Sequence, residues 1–137
     1  MSRASDKANS VMNAVEQLAA LYRVPTYRMQ SRVFDVIAKH GGTRPLLVGR
    51  WTDSYGTVHT AGMADLLLTP TISLLGPVVV QRVAVPLWVE CKAGEGRQTP
   101  DQKAFEDHVI LCGAHYLLAR DCADSVYGWF KLHGVIR

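Results

Sequence analysis

Two residues apart in the segment LWVECK, Glu90 and Lys92 project from the same side of an extended strand, while Val89 and Cys91 point to the other. Such a strand presents an acid and an amine side by side. A second acid, Asp65, opens the apolar run Leu66 to Leu68, where a lone carboxylate would be costly without a partner or a cation. If the two strands pair, Asp65 comes near Glu90. Two carboxylates and the backbone carbonyl of Cys91 make an all-oxygen site, which suits Mg²⁺ or Mn²⁺ rather than a thiolate-seeking metal. The cation would polarise a phosphodiester and lower the pKa of a bound water. Lys92 would orient that water or neutralise charge developing on phosphorus. No covalent intermediate is needed.

These residues need strands and a helix to hold them. Val11, Val15, Leu18 and Tyr22 recur at helical spacing and predict a helix from about Asp6 to Arg23, closed by Pro25. From Thr26 to Ala38 the residues read as two strands joined near Gln30 and Ser31, although Val33, Phe34, Val36 and Ile37 would also line a short helix. Gly41 and Gly42 break the chain. Pro45 to Trp51 reads as a strand, Asp53 to Gly56 as a turn and Thr57 to Thr60 as the return strand of a hairpin. A strand from about Met63 to Leu68, stopped by Pro70, comes next, with a loop around Thr69 to Gly76. The run VVVQRVAVPLWVECK is too long and too β-branched for a helix and splits into two strands near Pro86. The second, Leu87 to Lys92, leads into the glycine-bearing loop AGEGRQ. Thr99-Pro100-Asp101-Gln102 then carries a helix start: a capping threonine, proline at the first helical position and glutamine where a capping box wants Glu or Gln. That helix should end at Gly113. His115 to Ala119 reads as a strand, and Asp121 to His133 as a last helix around Val126, Trp129, Phe130 and Leu132. The order of elements predicts one mixed α/β domain over residues 1–137.

The succession G-M-A-D, a strand ending E-C-K, a glycine-containing loop and a helix opening with Gln102 resembles the VRR-Nuc branch of the PD-(D/E)XK nuclease superfamily. The likeness spans Gly62 to Arg120 and extends more loosely to the first helix. It implies a restriction-endonuclease-like α/β fold, a central mixed β-sheet flanked by helices. It also implies metal-dependent DNA endonuclease activity leaving a 5′-phosphate and a 3′-hydroxyl. By resemblance Asp65 and Glu90 match the metal-binding acids, Lys92 the catalytic lysine and Gln102 the glutamine on the following helix, and Glu16 stands where the first helix often supports the metal. Ala64 replaces the proline that often precedes the first acid, and the stretch from Asp65 to Glu90 is longer than in compact members. Stand-alone members of the group look like junction-resolving enzymes, which act as homodimers because a four-way junction needs two coordinated nicks. A flap or fork nuclease and a non-catalytic DNA-binding module on the same fold are the alternatives.

Other readings stand beside these. Gln102 is fully explained as a capping residue, and Glu16 as a solvated helix position. Among the scattered basic residues Arg97 is the leading candidate for a DNA phosphate contact, because it follows the E-x-K strand directly; Arg28 and Arg32 come next. His108 and His115 lack a second ligand at metal spacing and read as structural or surface residues, and Trp129 and Phe130 as core or interface. With 137 residues, 48% hydrophobic and 20% charged, the chain can build one real core. Its apolar runs fall far short of the roughly 20 residues of a membrane helix, and its polar N-terminus lacks a secretory h-region, so an intracellular, cytoplasmic location is expected. Cys91, Cys112 and Cys122 form no C-x-x-C pair and read as reduced, partly buried packing residues. The net charge of +3 decides little.

Overall fold

Apolar residues at helical spacing dictate the first element, α1 (Arg3–Leu21), whose Val11, Met12, Val15 and Ala19 are all buried. The computed structural model describes residues 3–29, 32–37, 41–48, 50–75 and 80–136. Past α1 the chain turns through Arg23 at positive φ (55°), and Val24 N donates to Ala19 O at 2.8 Å, closing the helix before Pro25.

Among the described residues, ten strands and two further helices follow: β1 (Thr26–Arg28), β2 (Arg32–Ile37), β3 (Thr43–Val48), β4 (Trp51–Thr52), β5 (Val58–His59), β6 (Leu66–Leu68), β7 (Thr71–Leu75), β8 (Val80–Ala84), β9 (Leu87–Lys92), α2 (Pro100–Leu111), β10 (His115–Arg120) and α3 (Asp124–His133). Four of the strands form the central mixed sheet, in the order β1-β6-β9-β10. The pairs β1/β6 and β6/β9 are antiparallel; β9/β10 is parallel and is connected through α2, as a parallel pair requires a crossover.

Strand alternation divides the sheet into two faces. Leu66, Leu68, Leu87, Val89, Cys91 and Ala119 point to one, where they are buried against α1 and against Val126, Trp129 and Phe130 of α3. Each fully buried side chain of this size contributes about 1.5–3 kcal/mol by leaving water. Trp88 and Tyr116 point to the other face and meet Phe105 and Val109 of α2, together with Trp51 and Ala64. Helices therefore flank the sheet on both sides.

Several expected boundaries move. The strand expected from Met63 starts at Leu66, because the Asp65 side chain, not a backbone carbonyl, takes the Cys91 N–H and the ladder ends there. The segment before it is held against the start of α2: Gly62 has φ 94°, and a Cβ there would lie 2.3 Å from Asp101 O. Only glycine fits. The expected strand Pro45 to Trp51 divides, since β3 pairs with β2 (Asp35 opposite Pro45) and only Trp51–Thr52 pairs with Val58–His59. Pro45 is tolerated because each strand of a two-stranded ribbon has an open edge. The join expected near Gln30 and Ser31 lies outside the described residues.

The loop expected around Thr69 to Gly76 contains β7, which pairs with β8 from Thr71↔Ala84 to Leu75↔Val80. Thr71 O also accepts from Ile136 N at 3.0 Å. The last helix begins at Asp124 rather than Asp121, which sits at φ 66° and cannot open a right-handed helix. Of the cysteines only Cys91 is buried; Cys112 and Cys122 are exposed, and all three are free. Among the described residues no helix is long and apolar enough to cross a membrane.

Candidate functional site

The β6/β9 register sets Leu66 opposite Val89, Leu67 opposite Trp88 and Leu68 opposite Leu87. One step further along the same register, Asp65 falls opposite Glu90. Directly opposed residues of an antiparallel pair share a face, so both carboxyl groups point towards α2. The backbone of Asp65 is fixed as well, its carbonyl accepting from Met29 N at 2.8 Å. Its carboxylate accepts the Cys91 N–H at 2.8 Å. In a strand the N–H and C=O of one residue point to the same side. The Cys91 carbonyl is therefore turned towards the acids too.

Glu90 is only 2% exposed, although its type is almost never fully buried without a partner. Oε1 accepts from Gln102 Nε2 at 2.9 Å, and Lys92 Nζ lies 3.8 Å from the same oxygen. Oε2 is buried and finds no donor. The Glu90 and Asp65 carboxyl groups are within hydrogen-bonding reach of each other, a contact between two acceptors that closes only through a shared proton or an intervening cation.

The electrostatics follow from that arrangement. Burial, then the neighbouring Asp65 charge, pushes the Glu90 pKa up to about 8, against the pull of Lys92. Burial likewise raises Asp65, opposed by the Cys91 N–H. Two carboxylates and one ammonium leave the fully ionised cluster one negative charge in excess, with Glu90 shut off from water and Asp65 and Lys92 partly exposed. Burial also pushes the Cys91 thiol up, so this sulfur is no thiolate ligand at neutral pH.

Gln102 serves two purposes at once. Its amide oxygen accepts from Thr99 N at 2.9 Å and its backbone N–H donates to Thr99 Oγ1 at 3.2 Å, completing the expected capping box, while its Nε2 holds Glu90. The variant Gln102→Glu separates the roles, because glutamate still completes the box. It exchanges the donor facing Glu90 for an acceptor, so it should destabilise the protein by about 1–3 kcal/mol in urea unfolding at neutral pH. Wild-type stability in this variant would mean that the amide contact does not hold the carboxylate.

Glu16, on α1, is close enough for its charge to act on the Cys91 thiol, next to Glu90. Its Oε1 takes the Arg28 guanidinium, with Arg28 Nε at 3.0 Å, and Arg28 Nη2 also donates to Asn13 at 2.9 Å. Arg28 is thereby engaged on α1. Arg32 begins β2, and its side chain lies outside the described residues. Arg97 is exposed in the loop after β9, as expected. Among the described residues no group of three or more His, Cys, Asp or Glu could hold a metal ion. Asp65 and Glu90 thus form a pair of acids, with the backbone oxygen of Cys91 as a candidate third ligand.

Sequence reading missed the residues that hold the loop between β9 and α2. Arg120 lies beside Lys92 in the parallel register and donates through Nη1 to Gly94 O at 2.6 Å and Gly96 O at 2.7 Å. Asp121 Oδ1 accepts from Gly94 N at 2.6 Å, while Asp121 N donates to Lys92 O at 2.9 Å. At the end of the loop, Gln98 Nε2 donates to Glu106 at 2.8 Å and to the Tyr116 hydroxyl at 3.0 Å. An acid and a base at the end of a strand carry no spacing signal; only the parallel pairing of β9 with β10 brings them to the loop.

No protein-family model, curated protein or solved structure matches this chain.

Proposed function

We propose that the protein is a divalent-metal-dependent DNA endonuclease with a restriction-endonuclease-like fold of the VRR-Nuc type, acting on branched DNA as a homodimer. The observation that carries the reading is the opposition of Asp65 and Glu90 across β6 and β9, with Glu90 Oε2 buried and without a donor. Removing a carboxylate from water costs several kcal/mol unless something positive compensates, and one ammonium at 3.8 Å does not neutralise two acids. A hard cation between them does. Asp65, Glu90 and the Cys91 carbonyl supply only oxygen, the donor set of Mg²⁺ or Mn²⁺.

A bound cation of this kind supplies Lewis-acid polarisation of the phosphodiester and a lowered pKa for water. The chain's own groups do the rest. Lys92, half-buried beside Glu90, holds its charge where a phosphoryl oxygen becomes more negative as water attacks. Gln102 fixes the orientation of Glu90, and the Cys91 N–H fixes that of Asp65. Water adds to phosphorus as the P–O3′ bond breaks, leaving a 5′-phosphate and a 3′-hydroxyl. The homodimer rests on the symmetry of a four-way junction, which presents two equivalent strands to cut.

Arg97 would take a phosphate beside the cut, with its loop held by Arg120 and Asp121. Arg97→Ala should weaken DNA binding and reduce the salt slope by about 0.9, the loss of one phosphate contact. Arg120→Ala should weaken binding similarly by loosening the loop. In the double variant the effects should fall short of additive; full additivity would separate Arg120 from Arg97.

The test of substrate class is cleavage of labelled four-way junction, flap and plain duplex in Mg²⁺ or Mn²⁺. The junction should be nicked fastest. Equal rates on all three would remove branch selectivity from the proposal, and no cleavage of any would remove the nuclease.

A further inference from the structure

Away from the acids, the β4–β5 hairpin and the outer flank of α2 line an open cavity of about 230 Å³. Its lining includes Trp51, Asp53, Tyr55, His59, Asp107 and His108. The His59 ring stacks on Trp51, centroids 3.9 Å apart and planes within 9°. His59 Nε2 lies 2.9 Å from Asp53 Oδ2, and Asp53 Oδ1 takes the backbone N–H groups of Tyr55 and Thr57, both at 2.9 Å. Trp51 is pinned in turn by the bond from its Nε1 to Ala61 O at 2.8 Å. The imidazole is therefore a platform fixed before any ligand arrives, with one face on the indole and its edge on Asp53 beside the cavity.

The lining is aromatic and carboxylate-bearing rather than basic. Asp53, facing His59, stands on the wall and Asp107, paired with Lys103, on the rim, and among the described lining residues none is a lysine or arginine. Flat aromatic surface with a carboxylate at the edge suits a planar, uncharged heterocycle that can donate from an amino group. Asp107 Oδ1 pairs with Lys103 Nζ at 3.4 Å, and its carboxylate, 66% exposed, keeps a second oxygen as an acceptor at the rim.

Position ties the cavity to the acids. His108 is six residues beyond Gln102 on α2, about 9 Å along the helix. From the hairpin the chain runs through Ala61 and through Gly62, packed on Asp101, to Asp65. A nucleic-acid strand advances about 3.4 Å per stacked nucleotide and further when splayed. Measured along the helix axis, the rise from Gln102 to His108 is about the length of three stacked nucleotides, with His108 about 120° round the helix from Gln102.

We infer that this cavity is a nucleobase pocket, which takes one unpaired base carrying an exocyclic amine, stacked on His59 with its amino group towards Asp107. The inference rests on the nuclease reading and deepens it. A fully paired duplex offers no free base, whereas a branch point does, so the pocket gives the enzyme a physical means of choosing branched DNA. Base–aromatic stacking is worth about 1–3 kcal/mol, which corresponds to roughly 5- to 150-fold in affinity.

The test needs no catalysis. Adenosine, cytidine, guanosine and thymidine monophosphates are titrated into the full chain while the His59 and His108 ring proton signals are followed by NMR. The three amino-bearing nucleotides should shift both signals at millimolar concentration, and thymidine monophosphate should do so more weakly. Tyr55→Ala, at a residue 85% exposed and safe for folding, should weaken binding, and His59→Ala should abolish the shifts at His108. The inference fails if no nucleotide moves these signals, if His59→Ala responds as the wild type does, or if tetramethylammonium moves them as strongly, which would make the cavity a cation cage. Base binding without cleavage of any DNA would sink the nuclease reading and leave the pocket standing. Cleavage without base binding would do the reverse.

Discussion

Glu90→Gln and Asp65→Asn should each lower the rate of metal-dependent DNA cleavage by about a thousandfold or more, at unchanged DNA affinity measured in Ca²⁺. The size follows from the several kcal/mol that a correctly placed cation takes off a phosphoryl-transfer barrier, at about 1.4 kcal/mol for each factor of ten. Both substitutions keep the volume of the side chain and remove its charge, so they act on cation binding rather than on packing. The double variant should be little worse than either single one, because the two acids work as a unit. Lys92→Met should also slow the chemical step, yet leave the cation bound, since the amine stands beside the acids and is not a ligand. Single-turnover cleavage separates these outcomes. Near-wild-type rates in either acid variant would remove that residue from the mechanism.

Metal-free protein should lose stability as pH rises from about 4.5 to about 8, and Glu90→Gln should erase that loss. Glu90 has its native pKa raised from 4.5 to about 8 by burial and by Asp65. An acid with a raised native pKa binds its proton more tightly folded than unfolded. Its favourable contribution is complete below the unfolded value and disappears as pH climbs through the folded one. The acids titrate as a coupled pair, so the window belongs to both. The total effect should be on the order of a few kcal/mol, equivalent to some ten degrees in melting temperature for a domain of this size. Mg²⁺ or Mn²⁺ should therefore raise the melting temperature more at pH 8 than at pH 5.5. Glu90→Gln should melt higher than wild type at pH 8 without metal, and gain little when metal is added. A melting temperature independent of pH across this range would mean that the buried carboxyl is not under the stress described.

What could be read in the sequence was what short-range geometry fixes. Glu90 and Lys92 had to share a face because strand alternation leaves no choice, and Pro86 had to divide β8 from β9. The Thr99 capping box appears as its residue types demand. That Asp65 would meet Glu90 depended on pairing, a long-range property, and the register of β6 on β9 provides it.

Long-range features were the ones that escaped. The short β4–β5 pairing and the β7–β8 hairpin depend on partners chosen in three dimensions, and Pro70 and Gly76 concealed β7 as a loop. Asp121 adopts a left-handed conformation that its own sequence neighbours do not announce. Arg120 and Asp121 acquire their role only because β10 lies parallel to β9 and delivers its end to the loop that follows Lys92. Arg28 shows the same dependence: the sequence placed it beside a turn near the first helix as a phosphate candidate, and only the fold gives its guanidinium Glu16 and Asn13 on α1 as partners. The expected restriction-endonuclease-like arrangement is reached at the level of a four-stranded mixed sheet flanked by helices.

Titration of Mn²⁺ into the metal-free protein at pH 7, followed by calorimetry in two buffers of different ionisation enthalpy, bears most directly on the paired acids. Wild type should bind one ion per chain and release about one proton, because the cation displaces the proton held between Asp65 and Glu90. Glu90→Gln should bind far more weakly and release none. An ion bound equally well by both proteins, or no ion at millimolar Mn²⁺, would contradict the account.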